Sequence, residues 1–298
     1  MDAWSARPNV ITCNAAISAC GKVSEWRHAL ALMASMAELG IEPSVVSCGA
    51  AINACKKSGR WEDALAQLGS MERLRLAPEV LTYNAAISAC GEHGIWRHAL
   101  ALLSEMLCAR VAPMAGTCNI AISACSNGGE WVRSLALFSE MAAFAVTPDQ
   151  SSYNHALDAV RGRPVAWDVF HSALHRYVYP LLLDTRQDWL DLHELSTGGA
   201  LLAVQWKLSQ IAEEKVTGVA VHPTLRIITG RGQSSQDGTS INRLEVLQFL
   251  TGVGLPFRWT DEAEGAMLVN VEDVSAQWYR AIPVRYRKIW LGARARDR

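Results

Sequence analysis

The sequence has almost no net charge and no long apolar run. Its 298 residues carry 28 lysines and arginines against 29 acidic residues, a formal net charge of −1. Long-range attraction by total charge is therefore absent, and any binding to a polyanion must come from local patches. No stretch of about 18 apolar residues occurs, so we expect no segment of this sequence to span a bilayer.

Cysteines are missing from the second half of the chain, and none of the eight forms a C-x-x-C pair. This spacing does not fit a set of zinc ligands. Most of the cysteines recur at one position of a repeat, so we expect small buried apolar residues in a reducing compartment. His171 and His175 lie one helical turn apart, but no third ligand is near them in sequence, which favours a packing or surface role over a metal site.

Common enzyme signatures are also absent. The sequence contains no P-loop, nucleophile elbow or other hydrolase motif, and Gly230-x-Gly232 lacks the third glycine of a dinucleotide-binding fingerprint. We therefore expect no small-molecule substrate.

What the first half does contain is a 35-residue period. Four residue types keep this step: Pro8, Pro43, Pro78, Pro113 and Pro148; Trp26, Trp61, Trp96 and Trp131; Cys20, Cys55, Cys90 and Cys125; Met36, Met71, Met106 and Met141. Self-similarity at a fixed period predicts stacked supersecondary units, because one such unit cannot bury both its faces alone.

Each unit is predicted to be a pair of helices. The first helix runs from about the Ser or Thr after the proline to the Cys-Gly region. In the third unit Thr82 is the expected N-cap, and Gly91 and Gly94 supply the break. The second helix runs from about the tryptophan to the residues before the next proline, with apolar residues at helical spacing.

The repeat frame sets the domain boundaries. Four full units cover 10–149, and a degenerate fifth unit covers 150–184, with an apolar stripe of Trp167, Phe170, Leu174 and Tyr177. Met1 occupies the repeat position of Met36, so residues 1–9 match the tail of a preceding unit. We therefore expect further units upstream.

The repeat resembles a known family. The T-Y-N or T-C-N start, the I-S-A-C-G run, the mid-repeat tryptophan and the closing Met-x6-Pro resemble the pentatricopeptide repeat over about the first 180 residues. The tetratricopeptide repeat, a protein-binding solenoid, has a 34-residue period and a different signature. The resemblance implies a monomer that binds single-stranded RNA, one base per unit, in a chloroplast or mitochondrion.

The resemblance assigns base recognition to the fifth and last residues of each unit. The fifth residues are Asn14, Gly49, Asn84, Asn119 and Asn154, and the last residues are Ser44, Glu79, Met114 and Asp149. The unit with Asn119 and Asp149 resembles a uracil reader. The unit with Asn14 and Ser44 resembles a cytosine reader. The other two pairs depart from the pattern.

Physical reasoning supports this assignment. An asparagine side chain offers both a donor and an acceptor to the Watson–Crick edge of an unpaired base. The apolar second residues, Ile11, Val46 and Leu81, are expected to hold bases between neighbouring units. The alternative is that the recurring asparagines only cap helices or turns.

The composition changes from about residue 189. Strands are predicted at 189–193, 225–229, 257–260 and 266–271, and helices at 199–214 and 240–252. This order, βαβαββ, predicts a small α/β sandwich domain within 187–281, followed by a basic tail at 282–298. The fold class expected for the chain is therefore an α-solenoid of helical-hairpin repeats followed by this small domain.

Two short motifs lie at predicted strand ends. In Leu190-Asp191-Leu192-His193, strand alternation places the leucines in the core and the Asp and His together on the other face. Thr229-Gly230-Arg231-Gly232 follows the next strand. The βαβ connection makes these strands parallel, so both motifs are expected at one carboxyl edge of the sheet.

These motifs resemble the L-D-x-H and T-G-x-G signatures of the small MutS-related domain, some of whose members cut RNA or nick DNA. The resemblance implies that Asp191 and His193 form an acid–base pair, that Arg231 stabilises charge on a phosphate, and that Thr229, Gly230 and Gly232 form a phosphate loop. Mg²⁺ is a possible cofactor for cleavage. Three alternatives remain open: a non-cleaving factor that only grips the RNA backbone, a protein-interaction scaffold, and a DNA nickase that acts through the C-terminal domain alone.

Overall fold

The computed structural model describes residues 8–183, 188–219, 221–230, 240–261, 265–275 and 277–278. The chain divides into two compact units, Met1–Pro148 and Asp149–Arg298. The predicted fifth hairpin thus shares a unit with the sheet. None of the helices in the described ranges is both long enough and apolar enough to cross a membrane.

The first unit consists of four helical hairpins in the predicted 35-residue register. Its helices are Val10–Lys22 (α1), Trp26–Glu38 (α2), Val45–Lys57 (α3), Trp61–Arg73 (α4), Val80–Glu92 (α5), Trp96–Cys108 (α6), Ala115–Asn127 (α7) and Trp131–Glu140 (α8). Successive first helices, the odd-numbered ones, pack against each other, and each of α2, α4 and α6 also packs against the first helix of the next hairpin. This is the stacking that the repeat predicts.

The first helices begin three residues earlier than expected. Thr82 is not an N-cap: the N-cap of α5 is Glu79, and Thr82 lies inside the first turn. In the other hairpins the Ser or Thr at this position instead binds the N-cap backbone N–H, as in Ser44 N to Ser47 Oγ at 2.9 Å. The repeated hydroxyl therefore closes a capping box from the third helical position. Gly94 does adopt the left-handed conformation, with φ +67°, whereas Gly91 remains helical.

The repeated methionines and cysteines form the core of this unit. Met36, Met71, Met106 and Met141 are fully buried. So are the cysteines of units two to four, Cys55, Cys90 and Cys125, where burial raises the pKa of each thiol to about 11. These thiols are therefore protonated near neutrality and act as apolar packing groups, as predicted.

The repeated tryptophans are only half-buried, and side chains from the following hairpin stack on them. The guanidinium of Arg60 lies 4.7 Å from the ring centre of Trp26, and that of Arg133 lies 4.6 Å from Trp96. His98 stacks on Trp61 at 5.4 Å. These contacts join neighbouring hairpins on the side of the second helices.

The second unit opens with the fifth hairpin. It contains Gln150–Ala159 (α9), Ala166–His175 (α10) and the single turn Pro180–Leu183 (α11). Three residues of the predicted stripe, Trp167, Phe170 and Leu174, are buried, but Tyr177 is 72% exposed. Helix α10 ends at His175, and Tyr177 has a φ of +55°, so the helical periodicity no longer applies to it.

A four-stranded sheet with two long helices follows in the predicted order. The elements are Trp189–Asp191 (β1), Thr197–Thr217 (α12), Thr224–Ile228 (β2), Ile241–Gly252 (α13), Phe257–Asp261 (β3), Ala266–Asn270 (β4) and a 3-10 turn at Val271–Asp273. The strand order is β1-β2-β4-β3, with β1 parallel to β2 and the other pairs antiparallel. Alternate residues, such as Leu225 and Ile227, are buried.

Candidate functional sites

Apolar side chains are exposed at the second position of the first three units. Ile11, Val46 and Leu81 are 73%, 65% and 74% exposed. Each lies in the first turn of a first helix, and these helices pack side by side. Large aliphatic side chains that recur at one position and remain exposed are available to contact the faces of flat ligands.

The fifth positions lie in the second turn of the same helices, so the asparagines there do not cap helices. Asn14 is half-buried, and its Oδ1 accepts a 2.6 Å hydrogen bond from Ser47 Oγ of the next unit. Asn84 Oδ1 is buried and has no hydrogen-bond partner among the residues described. Asn119 is 6% exposed. At Gly49 no atom lies within 4 Å of the place that a Cβ would take.

The last residue of each unit is the N-cap of the following first helix. Ser44 Oγ accepts from the backbone N–H of Ser47, and Asp149 Oδ1 accepts from Ser152. Glu79 and Met114 occupy the same place, where no side-chain cap bond forms. The capping role therefore belongs to this position and not to the fifth.

Asn154 does not belong with the other fifth-position residues. Its Nδ2 donates to the Glu194 carbonyl at 2.8 Å, and its Oδ1 accepts from Tyr179 Oη at 2.8 Å and from the Ser196 backbone N–H at 3.1 Å. Both ends of the amide are occupied within the fold. The oxygen accepts two bonds and the NH₂ group donates one, so this amide serves contacts within the fold, and the predicted contact of Asn154 with RNA stays a prediction.

Asp191 and His193 lie together at the carboxyl end of β1. His193 Nδ1 is 2.5 Å from Asp191 Oδ1, which also accepts the His193 backbone N–H at 2.9 Å. Leu190 and Leu192 are buried, as the strand alternation predicts. The Asp191 side chain is 17% exposed and that of His193 is 49% exposed. A proton on Nδ1 facing the carboxylate leaves Nε2 as an acceptor.

The second motif meets the first at this edge, because β1 and β2 are parallel and paired. Gly230 has a φ of +84°, and a Cβ there would lie 2.9 Å from His193 Cδ2. The histidine ring thus packs against the glycine. Thr229 Oγ1 is buried and donates to the Gly265 carbonyl at 2.7 Å. Thr229 therefore anchors the loop to the chain entering β4 through its hydroxyl, and its predicted place in a phosphate loop stays a prediction.

Two residues at the start of α13 bind the backbone of both motifs at the carboxyl edge of the sheet. Asn242 Nδ2 donates to the carbonyls of Leu192 and Leu195 at 3.3 and 2.8 Å. Ser240 Oγ donates to the Thr229 carbonyl at 2.8 Å. Helix α13 thereby holds the backbone of both motifs. Sequence reasoning missed both residues, since these contacts join positions 11 to 50 residues apart.

Arg231 and Gly232, the rest of the predicted phosphate loop, lie outside the described residues, as does the basic tail. Within the described ranges no group of three or more His, Cys, Asp or Glu side chains could hold a metal ion. His171 is 5% exposed and packs against Trp167 and Phe170, in agreement with a packing role.

Family models of the pentatricopeptide repeat match residues 31–93 and, as single repeats, 11–41, 81–111 and 116–144. No curated protein matches the chain. The fold is similar to that of the pentatricopeptide repeat protein PPR10 from maize, with 20% identity and a TM-score of 0.54, over 82% of this chain and 34% of that one. The chain thus spans about a third of the maize protein.

Two Arabidopsis thaliana proteins are also similar in fold. The pentatricopeptide repeat domain of protein-only RNase P 1, solved in complex with tRNA, shares 14% identity with a TM-score of 0.51, over 64% of this chain and 94% of that one. Nuclear proteinaceous RNase P 2 shares 13% identity with a TM-score of 0.51, over 83% and 59%. At these identities the likeness concerns the fold alone.

Proposed function

Because residues 11–111 and 116–144 match pentatricopeptide repeat models, we propose that the chain binds single-stranded RNA along its first helices. One observation carries this: Ile11, Val46 and Leu81 recur exposed beside the fifth-position residues. Unpaired bases stack on such surfaces while polar side chains meet their edges. The tRNA complex of the related repeat domain supports the same ligand class.

The fifth-position geometry leaves Asn14 with a donor for a base at the first unit. Because Ser47 Oγ already donates a hydrogen bond to the amide oxygen of Asn14, the NH₂ group of that amide remains to donate to a base. Cytosine presents two acceptors on its Watson–Crick edge, and the resemblance already assigns cytosine to Asn14 with Ser44. In the same way we assign uracil to Asn119 with Asp149, while Gly49 with Glu79 and Asn84 with Met114 have no assignment.

We further propose that the sheet and its two helices form a small MutS-related domain that cleaves the RNA beside the bound site. Support comes from the joint position of the two motifs, with Asp191 orienting His193 at 2.5 Å and Gly230 against the ring. His193 Nε2 would take the proton from the attacking hydroxyl as its oxygen bonds to phosphorus, and Asp191 would stabilise the imidazolium that forms. The imidazolium would then give this proton to the ribose oxygen that leaves as the other P–O bond breaks. Arg231 would stabilise charge on the phosphate.

The test is incubation of the purified chain with labelled single-stranded RNA containing pyrimidine runs, with and without Mg²⁺. We expect discrete fragments from the wild type and none from His193→Ala, with RNA affinity unchanged. His175→Ala is the matched control, since His175 is an exposed histidine at the end of α10 and in neither motif. A substrate with 2′-deoxyribose at the cleaved position shows whether water or the ribose 2′-hydroxyl attacks.

If RNA is retained but stays intact in all conditions, the cleavage proposal is wrong and the protein is a non-cleaving RNA-binding factor. If RNA affinity depends on neither salt nor base sequence, the repeats are a protein-interaction scaffold, because RNA binding releases counterions. The place of action, a chloroplast or mitochondrion, and the monomeric state rest on the resemblance. Import of the tagged full-length protein into isolated organelles tests the place of action. Light scattering tests the monomeric state.

A further inference from the structure

The turn that carries His193 is held by two side-chain amides from different helices. Asn242, on α13, donates to the carbonyls of Leu192 and Leu195. Asn154, on α9, donates to the carbonyl of Glu194 and accepts the backbone N–H of Ser196. Between them the two amides bind four backbone groups within residues 192–196. The direction in which this turn presents the histidine ring therefore depends on both helices.

Asn154 is the middle member of a polar stripe on α9. Gln150, Asn154 and Asp158 are spaced four residues apart and share one face of the helix. Gln150 Nε2 donates to the Glu194 carbonyl at 3.0 Å, and Asp158 Oδ1 accepts from the Gly198 backbone N–H at 2.9 Å. The three side chains of the stripe therefore bind successive backbone groups from the turn to the start of α12.

Close packing reinforces these bonds. A Cβ on Gly198 would lie 2.6 Å from the Leu157 carbonyl oxygen, so α9 and α12 approach to backbone contact at this point. Tyr179, which donates to Asn154, is 2% exposed. Tyr179 and Leu182 also line a small cavity, about 10 Å³, together with Asp191. The fifth hairpin therefore binds the turn that follows His193 and borders the cavity that Asp191 lines.

Other asparagines at the same repeat position are placed differently. The oxygen of Asn14 is bound by a serine of the next hairpin, and the oxygen of Asn84 has no partner in the described chain. At the fifth hairpin the Asn154 amide instead binds a loop 40 to 42 residues away. The repeat position that we propose for RNA contact in the other units makes an internal contact here.

We propose that Asn154 is a positioning residue for His193: the fifth hairpin reads no base and instead fixes the turn that aims the histidine ring at Gly230. The consequence for cleavage rests on the function proposed above, whereas the effect on the ring does not. Asn154 acts through the backbone of Glu194 and Ser196 and does not touch the reacting groups.

The test follows the ring itself in the full-length chain. With ¹³C-labelled histidine, the Cδ2–H and Cε1–H resonances of His193 are identified among the eight histidines by their loss in His193→Ala. We expect Asn154→Ala to shift or broaden these resonances. Asn84→Ala, which changes the same repeat position in the third hairpin, should leave them in place.

A second variant at the same residue controls for misfolding of Asn154→Ala. Asn154→Asp keeps the oxygen that accepts from Tyr179 and Ser196 but removes the donor to Glu194. It should fold, as judged by circular dichroism, and should still move the His193 resonances. If both folded variants leave the ring resonances unchanged, the positioning role is overturned.

Cleavage provides the second readout. We expect Asn154→Ala to lower kcat about 10- to 100-fold, the cost of misplacing a catalytic group by about 1 Å, with KM nearly unchanged. An unchanged kcat in a folded variant would overturn the proposal. If the wild type does not cleave at all, the nuclease proposal fails, and the ring resonances alone decide whether Asn154 positions His193.

Discussion

The ring of His193 lies against the backbone of Gly230, and this contact shows why the loop requires glycine at that residue. Two separate features exclude a side chain at Gly230. The φ of +84° disfavours any side chain, and a Cβ would also lie 2.9 Å from His193 Cδ2. At the residue scale the two short motifs are therefore one structural unit, since the second provides the surface on which the first rests.

Gly230→Ala should displace the His193 ring from the position that cleavage requires. We expect a loss of about 1–3 kcal/mol in the free energy of unfolding, from backbone strain and overpacking, and a larger loss of RNA cleavage. Urea unfolding and cleavage rates measure both. Gly254→Ala is the matched control, because Gly254 also has a positive φ, +68°, but no atom within 4 Å of its Cβ position. Equal effects of the two variants on cleavage would show that the ring contact is unimportant.

At the element scale, small residues let successive first helices approach closely. A Cβ on Gly21 would lie 3.3 Å from Ala54, and one on Gly91 would lie 2.9 Å from the Cβ of Ala124. Gly21 is on α1 and Gly91 on α5, so the contact recurs two hairpins later at the same repeat position. Close approach of these helices sets the spacing of the second- and fifth-position side chains.

Gly91→Ala should force α5 and α7 apart. We expect about 1–3 kcal/mol of destabilisation, which outweighs the gain in helix propensity of up to about 1 kcal/mol. Thermal unfolding followed by circular dichroism measures it. Gly69→Ala, in the exposed middle of α4 with nothing within 4 Å, should be neutral or stabilising. Stabilisation by Gly91→Ala as well would contradict the close contact.

At the scale of the whole molecule, each of the two units buries apolar side chains of its own. The core of the repeats runs from Cys13 to Met141. The second unit buries its own apolar groups and, in α10, the imidazole of His171. Burial, together with the nearby His175, lowers the pKa of His171 to about 4. Because the unfolded chain takes up this proton near pH 6.5, the neutral buried histidine links the stability of the second unit to pH.

Acidification should therefore destabilise the second unit selectively. Between about pH 6.5 and pH 4 the unfolded state binds a proton that the folded state resists, so the free energy of unfolding falls with pH, by up to about 3 kcal/mol. We expect two calorimetric transitions, of which Gly91→Ala lowers one. His171→Phe should reduce the pH dependence of the other. If the variant leaves that dependence unchanged, His171 does not govern it.

The sequence by itself determined the features that depend on local pattern. The 35-residue period placed every hairpin in its observed register, and alternation in Leu190-Asp191-Leu192-His193 placed Asp191 beside His193. Hydrophobic periodicity and strand alternation act over a few residues, so a single sequence reveals them. The order of strands and helices after residue 188 followed for the same reason.

Only the tertiary structure decided what individual polar groups do. Asn154 looked like Asn14 and Asn84 in sequence, yet its partners Glu194 and Ser196 lie 40 and 42 residues away, on the turn that carries His193. The hydroxyl of Thr229 likewise binds the Gly265 carbonyl, 36 residues away in sequence, which no local pattern indicates. A side-chain amide or hydroxyl satisfies its hydrogen bonds with whatever the fold brings to it, and that choice is made by chain segments remote in sequence.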